Sequence, residues 1–188
     1  MALVQDVCPS IGYVGAHDQL RREAYPGPLA RVLLTTDGTV TRIIEAYADE
    51  PVGVVKLVHE LSDQGHGRCP ELDLGHDQPL LRRTILLQGR RSGTNWLYAE
   101  ALVAWDRLPP AVREGLQETD EAIGPLLADA RVETWKEVLA SGREPAGSCA
   151  DYFGIDPSAC LLVRTYRVVS CQRPVMVVTE KFPTSIFS

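Results

Sequence analysis

The chain has 188 residues, 45% of them apolar and 23% charged, with 25 acidic residues against 19 basic ones. That length suits a single substantial domain. The net charge of −6 argues against a duplex-DNA binder, which neutralises phosphates with a basic stripe, and no stretch approaches the roughly 20 apolar residues needed to span a bilayer.

Met1 to Ser10 lack the basic and apolar regions of a secretory signal. Cys8, Cys69, Cys149, Cys160 and Cys171 are scattered and form no CxxC pair. Reduced thiols in a cytoplasmic protein are therefore expected.

Along the chain, residues 1–25 show no sustained period and read as an irregular start to a domain covering residues 1–188. A short helix is predicted from Pro28 to Leu34, with proline in its first turn. A second is predicted from Thr39 to Ala48, capped by Asp37 or Thr39, with Val40, Ile43, Ile44 and Tyr47 on its apolar face. Val52 to Leu61 reads as a strand and Gly65 to Pro79 as a polar loop. His66 and His76 flank Cys69 in that loop, at a spacing that matches no zinc pattern, so no metal is expected.

Leu80 to Gln88 and Asn95 to Ala104 are predicted strands joined by a hairpin at Gly89-Arg90-Arg91-Ser92-Gly93-Thr94, whose arginines read as a solvated turn. Helices follow from Pro110 to Leu116 and from Ile123 to Ala130. Arg131 to Leu139 is assigned to a strand, although its propensities also allow a helix. A helical turn at Asp151 to Gly154 precedes a last hairpin, Cys160–Cys171 and Pro174–Phe182. The sum is an α+β architecture: about six strands, mostly in antiparallel hairpin order, with helices on one side. No GxGxxG or GxxxxGK[ST] motif is present.

Strand alternation exposes two misplaced charges. Arg83 shares a face with Leu81, Ile85 and Leu87, and Glu180 shares one with Met176, Val178 and Phe182. Buried charges are costly unless paired. Three arrangements are consistent with this pattern. The two residues pair with each other in the core, they lie exposed at a sheet edge, or they face an anionic ligand. In the last case Arg83 offers its planar fork to a carboxylate and Glu180 handles protons. Glu100 shares a face with Trp96 and Tyr98, and Arg164 shares one with Tyr166.

Four segments around these residues resemble the chorismate pyruvate-lyases in order and spacing. They are Leu81-Arg82-Arg83-Thr84-Ile85-Leu86-Leu87, Trp96-Leu97-Tyr98-Ala99-Glu100, Ala122-Ile123-Gly124-Pro125-Leu126-Leu127, and Arg173-Pro174-Val175-Met176-Val177-Val178-Thr179-Glu180-Lys181-Phe182-Pro183. The likeness is to the actinobacterial branch that makes 4-hydroxybenzoate, and it runs from about Leu29 to Phe187. It implies a six-stranded antiparallel sheet with helices flanking an enclosed ligand pocket. It also implies removal of pyruvate from chorismate to give 4-hydroxybenzoate, without a cofactor.

By the same resemblance, Arg83 grips the ring carboxylate and Glu180 lies at the hydroxyl and ether end. The backbone at Ile123, just before Gly124, helps hold the ring carboxylate, and Val40 belongs to a helical flap. Apart from the resemblance, the substrate's second carboxylate calls for a second cation, for which Arg164 is the expected candidate. Better-known bacterial members carry arginine where this chain has Glu100, and a Glu100–Arg164 pair is one expected consequence. The implied partner is a small carboxylate substrate, with neither nucleic acid nor membrane. Two other readings stand beside the lyase: an enzyme of the same fold acting on a different cyclic carboxylate, and a ligand-sensing module like repressor effector domains.

Overall fold

The computed structural model describes residues 27–62, 69–75 and 78–186. Expectations about residues 1–25, Cys8, His66 and His76 lie outside them. Among the described residues are five α-helices and one six-stranded sheet. Two helices come first: α1 (Pro28–Thr35), entered through Gly27 at φ 124°, and α2 (Val40–Ala48). The latter is preceded by Thr39, whose side chain makes no capping hydrogen bond.

Strands β1 (Val52–Ser62), β2 (Leu80–Gly89) and β3 (Asn95–Ala104) form an antiparallel meander. Helices α3 (Pro110–Glu118) and α4 (Ile123–Asp129) carry the chain to the far edge, where β4 (Trp135–Pro145) begins. After α5 (Ala150–Phe153), strands β5 (Cys160–Ser170) and β6 (Arg173–Pro183) return toward the middle. The strand order is β1-β2-β3-β6-β5-β4, and every neighbouring pair is antiparallel. The sheet thus closes at its centre, where β6 pairs with β3.

Two differences from the expected layout have physical causes. Strand β4 starts at Trp135 rather than Arg131, because Arg131 adopts a left-handed φ of 54° that ends the preceding helical segment. Helices also occupy both faces of the sheet. The short α5 packs on the face opposite the others, where Leu86, Tyr98 and Leu161 form a small core with Ala146, Cys149 and Ala150. Alternating strands that are apolar on both sides need cover on both sides.

The other face carries two cores. One lies under α1 and α2 and contains Leu33, Leu34, Ile44, Leu97, Leu162 and Phe182. The second lies under α3 and α4 and contains Leu81, Val103, Val112, Leu116, Tyr166 and Met176. Gly115 allows α4 to approach α3, since a Cβ there would sit 2.6 Å from Leu126 Cδ2. Between these two cores, on the same face of the sheet, lies a cavity of about 250 Å³.

Candidate active site

The floor of the cavity is the sheet itself. Ile85 and Leu87 of β2, Leu97, Ala99 and Ala101 of β3, and Met176 and Val178 of β6 supply an apolar surface. Its roof comes from the loop before α2, from Val40 and Thr41, and from Ile123, Gly124 and Leu127 of α4. Gly124 keeps this roof tight, because a Cβ there would come within 3.2 Å of Thr39 Cγ2. Arg83, Glu180, Val40, Ile123 and Gly124 therefore all line one cavity.

Arg83 is only 3% exposed. One of its nitrogens, Nη2, donates to the Glu121 carbonyl at 2.8 Å. Its Nε is buried with no hydrogen-bond partner. Among the described residues no carboxylate forms a salt bridge with it. Burial lowers its pKa to about 10, against a smaller opposing pull from Asp120. The guanidinium still carries its charge at neutral pH, so the floor holds a cation that no salt bridge among the described residues neutralises.

Glu180 is differently placed. Its Oε2 accepts from Arg164 Nε at 2.6 Å, and its Oε1 accepts from the Tyr166 hydroxyl at 2.9 Å. Arg164 is 0% exposed and Glu180 5%. A core ion pair therefore exists, but its cation is Arg164 and not Arg83. Arg164 also donates through Nη1 to the Thr36 carbonyl at 2.9 Å, while its Nη2 is buried without a partner. It stands behind Glu180 and is absent from the cavity wall. Burial, followed by the charge of Glu180, raises the Tyr166 phenol well above its usual range, so its proton stays in place as a donor to the carboxylate.

Glu100 does not pair with Arg164. It is exposed on the opposite face of the sheet, where it accepts from the Tyr98 hydroxyl at 2.6 Å. The alternation that sets Glu100 apart from Ala99 and Ala101 separates it from the cavity altogether.

Sequence reasoning missed two residues at the site, Tyr166 as the partner of Glu180, and Lys136. Lys136 projects from β4 into the cavity, with its Nζ donating to the Gly38 carbonyl at 2.6 Å and lying 5.0 Å from the centre of the Tyr166 ring. Its signal was weak, because β4 begins one residue before it and the face of Lys136 depends on that start. Among the described residues no cluster of three or more His, Cys, Asp or Glu side chains is arranged to hold a metal ion. Nor is any helix there long and apolar enough to cross a membrane.

Comparison with known proteins identifies the family. The Rv2949c-like chorismate pyruvate-lyase family model matches residues 34–188. The chain belongs to this family. The chorismate pyruvate-lyase of Mycobacterium leprae is 35% identical over 159 residues, covering 84% of this chain and 75% of that protein. The one from Mycobacterium tuberculosis is 34% identical over 164 residues, covering 84% and 80%.

Solved structures extend the likeness to the fold alone. The effector domain of PhnF from Mycobacterium smegmatis matches with a TM-score of 0.61 at 12% identity, over 80% of this chain and 91% of that one. The C-terminal domain of a histidine utilization repressor from Pseudomonas syringae matches with a TM-score of 0.53 at 18% identity, over 71% and 92%. The chain is thus a chorismate lyase-like α+β domain.

Proposed function

We propose that the chain removes pyruvate from chorismate and releases 4-hydroxybenzoate. The observation that carries this reading is Arg83, a buried cation on an apolar cavity floor with no carboxylate partner among the described residues. A cation in that position is stabilised when an anionic ligand arrives, and a guanidinium matches a carboxylate by two parallel hydrogen bonds. Arg83 takes the ring carboxylate through its free donors, and the first-turn backbone N–H of Ile123 adds a further donor. Val40 closes the cavity from above.

With the ring carboxylate at Arg83, the rest of the substrate extends over Ala99 and Ala101 toward Glu180. Small side chains on β3 leave room there for a flat ring. The reaction breaks the ether bond between the ring and the enolpyruvyl group and removes the proton from the ring carbon that bears the hydroxyl. The electron pair from that C–H bond completes the aromatic ring. The departing enolpyruvate takes up a proton and becomes pyruvate. Aromatisation drives the step, so orientation and proton handling are what the protein supplies. Glu180 lies at the end where both proton events occur. Arg164 and Tyr166 fix its two oxygens, so it is oriented before the substrate arrives.

The direct test is to mix purified protein with chorismate and follow 4-hydroxybenzoate and pyruvate by chromatography. Equal amounts of both, formed well above the spontaneous background, are expected. Background-level product overturns the reading. Binding without turnover instead favours a sensing role, which the solved effector domains of similar fold make the second reading.

A further inference from the structure

Chorismate carries two carboxylates, and Arg83 accounts for one. Arg164, the sequence-based choice for the other, is spent on Glu180 and does not line the cavity. The cavity wall holds just one further cation among the described residues, Lys136. We infer that Lys136 binds the second carboxylate, so that the site selects an extended dianion held at both ends. The inference rests on the lyase reading and adds to it the residue that discriminates substrate from product.

Three observations support it. The first is strand order. Arg83 stands on β2, Glu180 on β6 and Lys136 on β4, all on one face, with β6 midway between the other two strands. At about 4.8 Å per strand the two cations start roughly 19 Å apart at their backbones. Two long side chains reaching inward and a ligand the size of one ring and its substituent fill that span. Glu180 then falls beside the middle of the ligand, where the ether bond breaks.

The second observation is partnering. An ammonium has three donors. Lys136 uses one on the Gly38 carbonyl, and no carboxylate forms a salt bridge with it among the described residues. The buried cation that does have a carboxylate, Arg164, is the one outside the cavity. Among the described residues neither cation on the wall forms a salt bridge, although Glu180 and Asp37, which line the same cavity, act on Lys136 from a longer range.

The third is pre-organisation. Tyr166 packs against both Lys136 and Arg164, with Lys136 Nζ 5.0 Å from its ring centre and Arg164 Cζ 4.9 Å from it. That ring supports Lys136 from one side while the Gly38 carbonyl holds it from the roof. Burial pulls the ammonium below its ordinary pKa; the charges of Glu180 and Asp37 oppose this, and that of Arg164 adds to it. A carboxylate beside it relieves the same desolvation.

Product lacks the second carboxylate, which gives the experiment its contrast. Lys136→Met and Lys136→Arg are compared with wild type for the KM and kcat of chorismate and for the Kd of 4-hydroxybenzoate. Lys136→Met is expected to raise the chorismate KM by about 10- to 100-fold. It should shift the 4-hydroxybenzoate Kd by less than about threefold, a change below 1 kcal/mol. Lys136→Arg, which keeps the charge, restores most of the chorismate affinity. Equal weakening of both ligands makes Lys136 a strut for the roof and overturns the inference, as does no change in either. If wild type fails to turn over chorismate, the lyase reading falls by itself. The Kd values of chorismate and 4-hydroxybenzoate then decide the role of Lys136 by the same contrast.

Discussion

Arg83 and Arg164 occupy the same face of one sheet, and both are buried, yet they are in opposite electrostatic situations. Arg164 faces Glu180 directly across the β5–β6 pair and is held by a carboxylate and a backbone carbonyl. Arg83, on the other side of the cavity, has one carbonyl and an orphaned Nε. Removing a buried cation that has a counter-ion strands the carboxylate. Removing one that has no salt bridge relieves desolvation and, on the proposed reading, deletes a ligand's anchor. On the proposed reading, one arginine serves the fold and the other the ligand.

That contrast can be broken or sharpened by substitution. The largest effect is expected from Glu180→Gln, which keeps the shape but loses the charge and the proton chemistry. Its kcat should fall by about 10²- to 10⁴-fold, the usual worth of a positioned acid or base. Rapid-quench or steady-state assays check this, with a urea melt confirming that the protein is folded. Wild-type kcat in this variant would remove Glu180 from the chemistry.

Arg164→Met comes next. Leaving Glu180 buried without its cation should cost about 3–5 kcal/mol of stability, read from the urea midpoint. A change under 1 kcal/mol would mean that Glu180 does not depend on that pair. Arg83→Met should behave in the opposite way. Its stability stays within about 1 kcal/mol of wild type, while kcat/KM for chorismate falls by roughly 10- to 100-fold. If the two methionine variants lose stability equally, the division between structural and functional arginine fails.

Much of this was legible in the strand pattern. Alternation alone places Arg83 and Glu180 on apolar faces, and the hairpins predict an antiparallel sheet. The Arg164–Glu180 pair was hidden by a one-residue irregularity. The β5–β6 turn has Cys171 and Gln172 at φ 49° and 61°, the left-handed pair that suits a tight hairpin. Counting outward from that turn without a bulge pairs Arg164 with Thr179. The register shifts between Val168 and Val169, so that Arg164 instead meets Glu180. A single extra residue moves a side chain to the other face.

Lys136 was hidden for a different reason. Its strand lies at the far edge of the sheet, four strands from Arg83, and sequence order does not reveal that β3 and β6 are neighbours. The cavity exists only once those two strands join. Residues that meet through non-consecutive pairing carry no local signal of their meeting.

The central claim is that the unpaired charge of Arg83 is a carboxylate site, and calorimetric titration with two ring compounds tests it most directly. One is 4-hydroxybenzoate and the other 4-hydroxybenzyl alcohol, which has a neutral group in place of the carboxylate. Wild type should prefer the carboxylate by about 10- to 100-fold, the worth of a charged hydrogen-bonded contact, and Arg83→Met should lose that preference. Equal binding of the two compounds by wild type, or an undiminished preference in the variant, would contradict it.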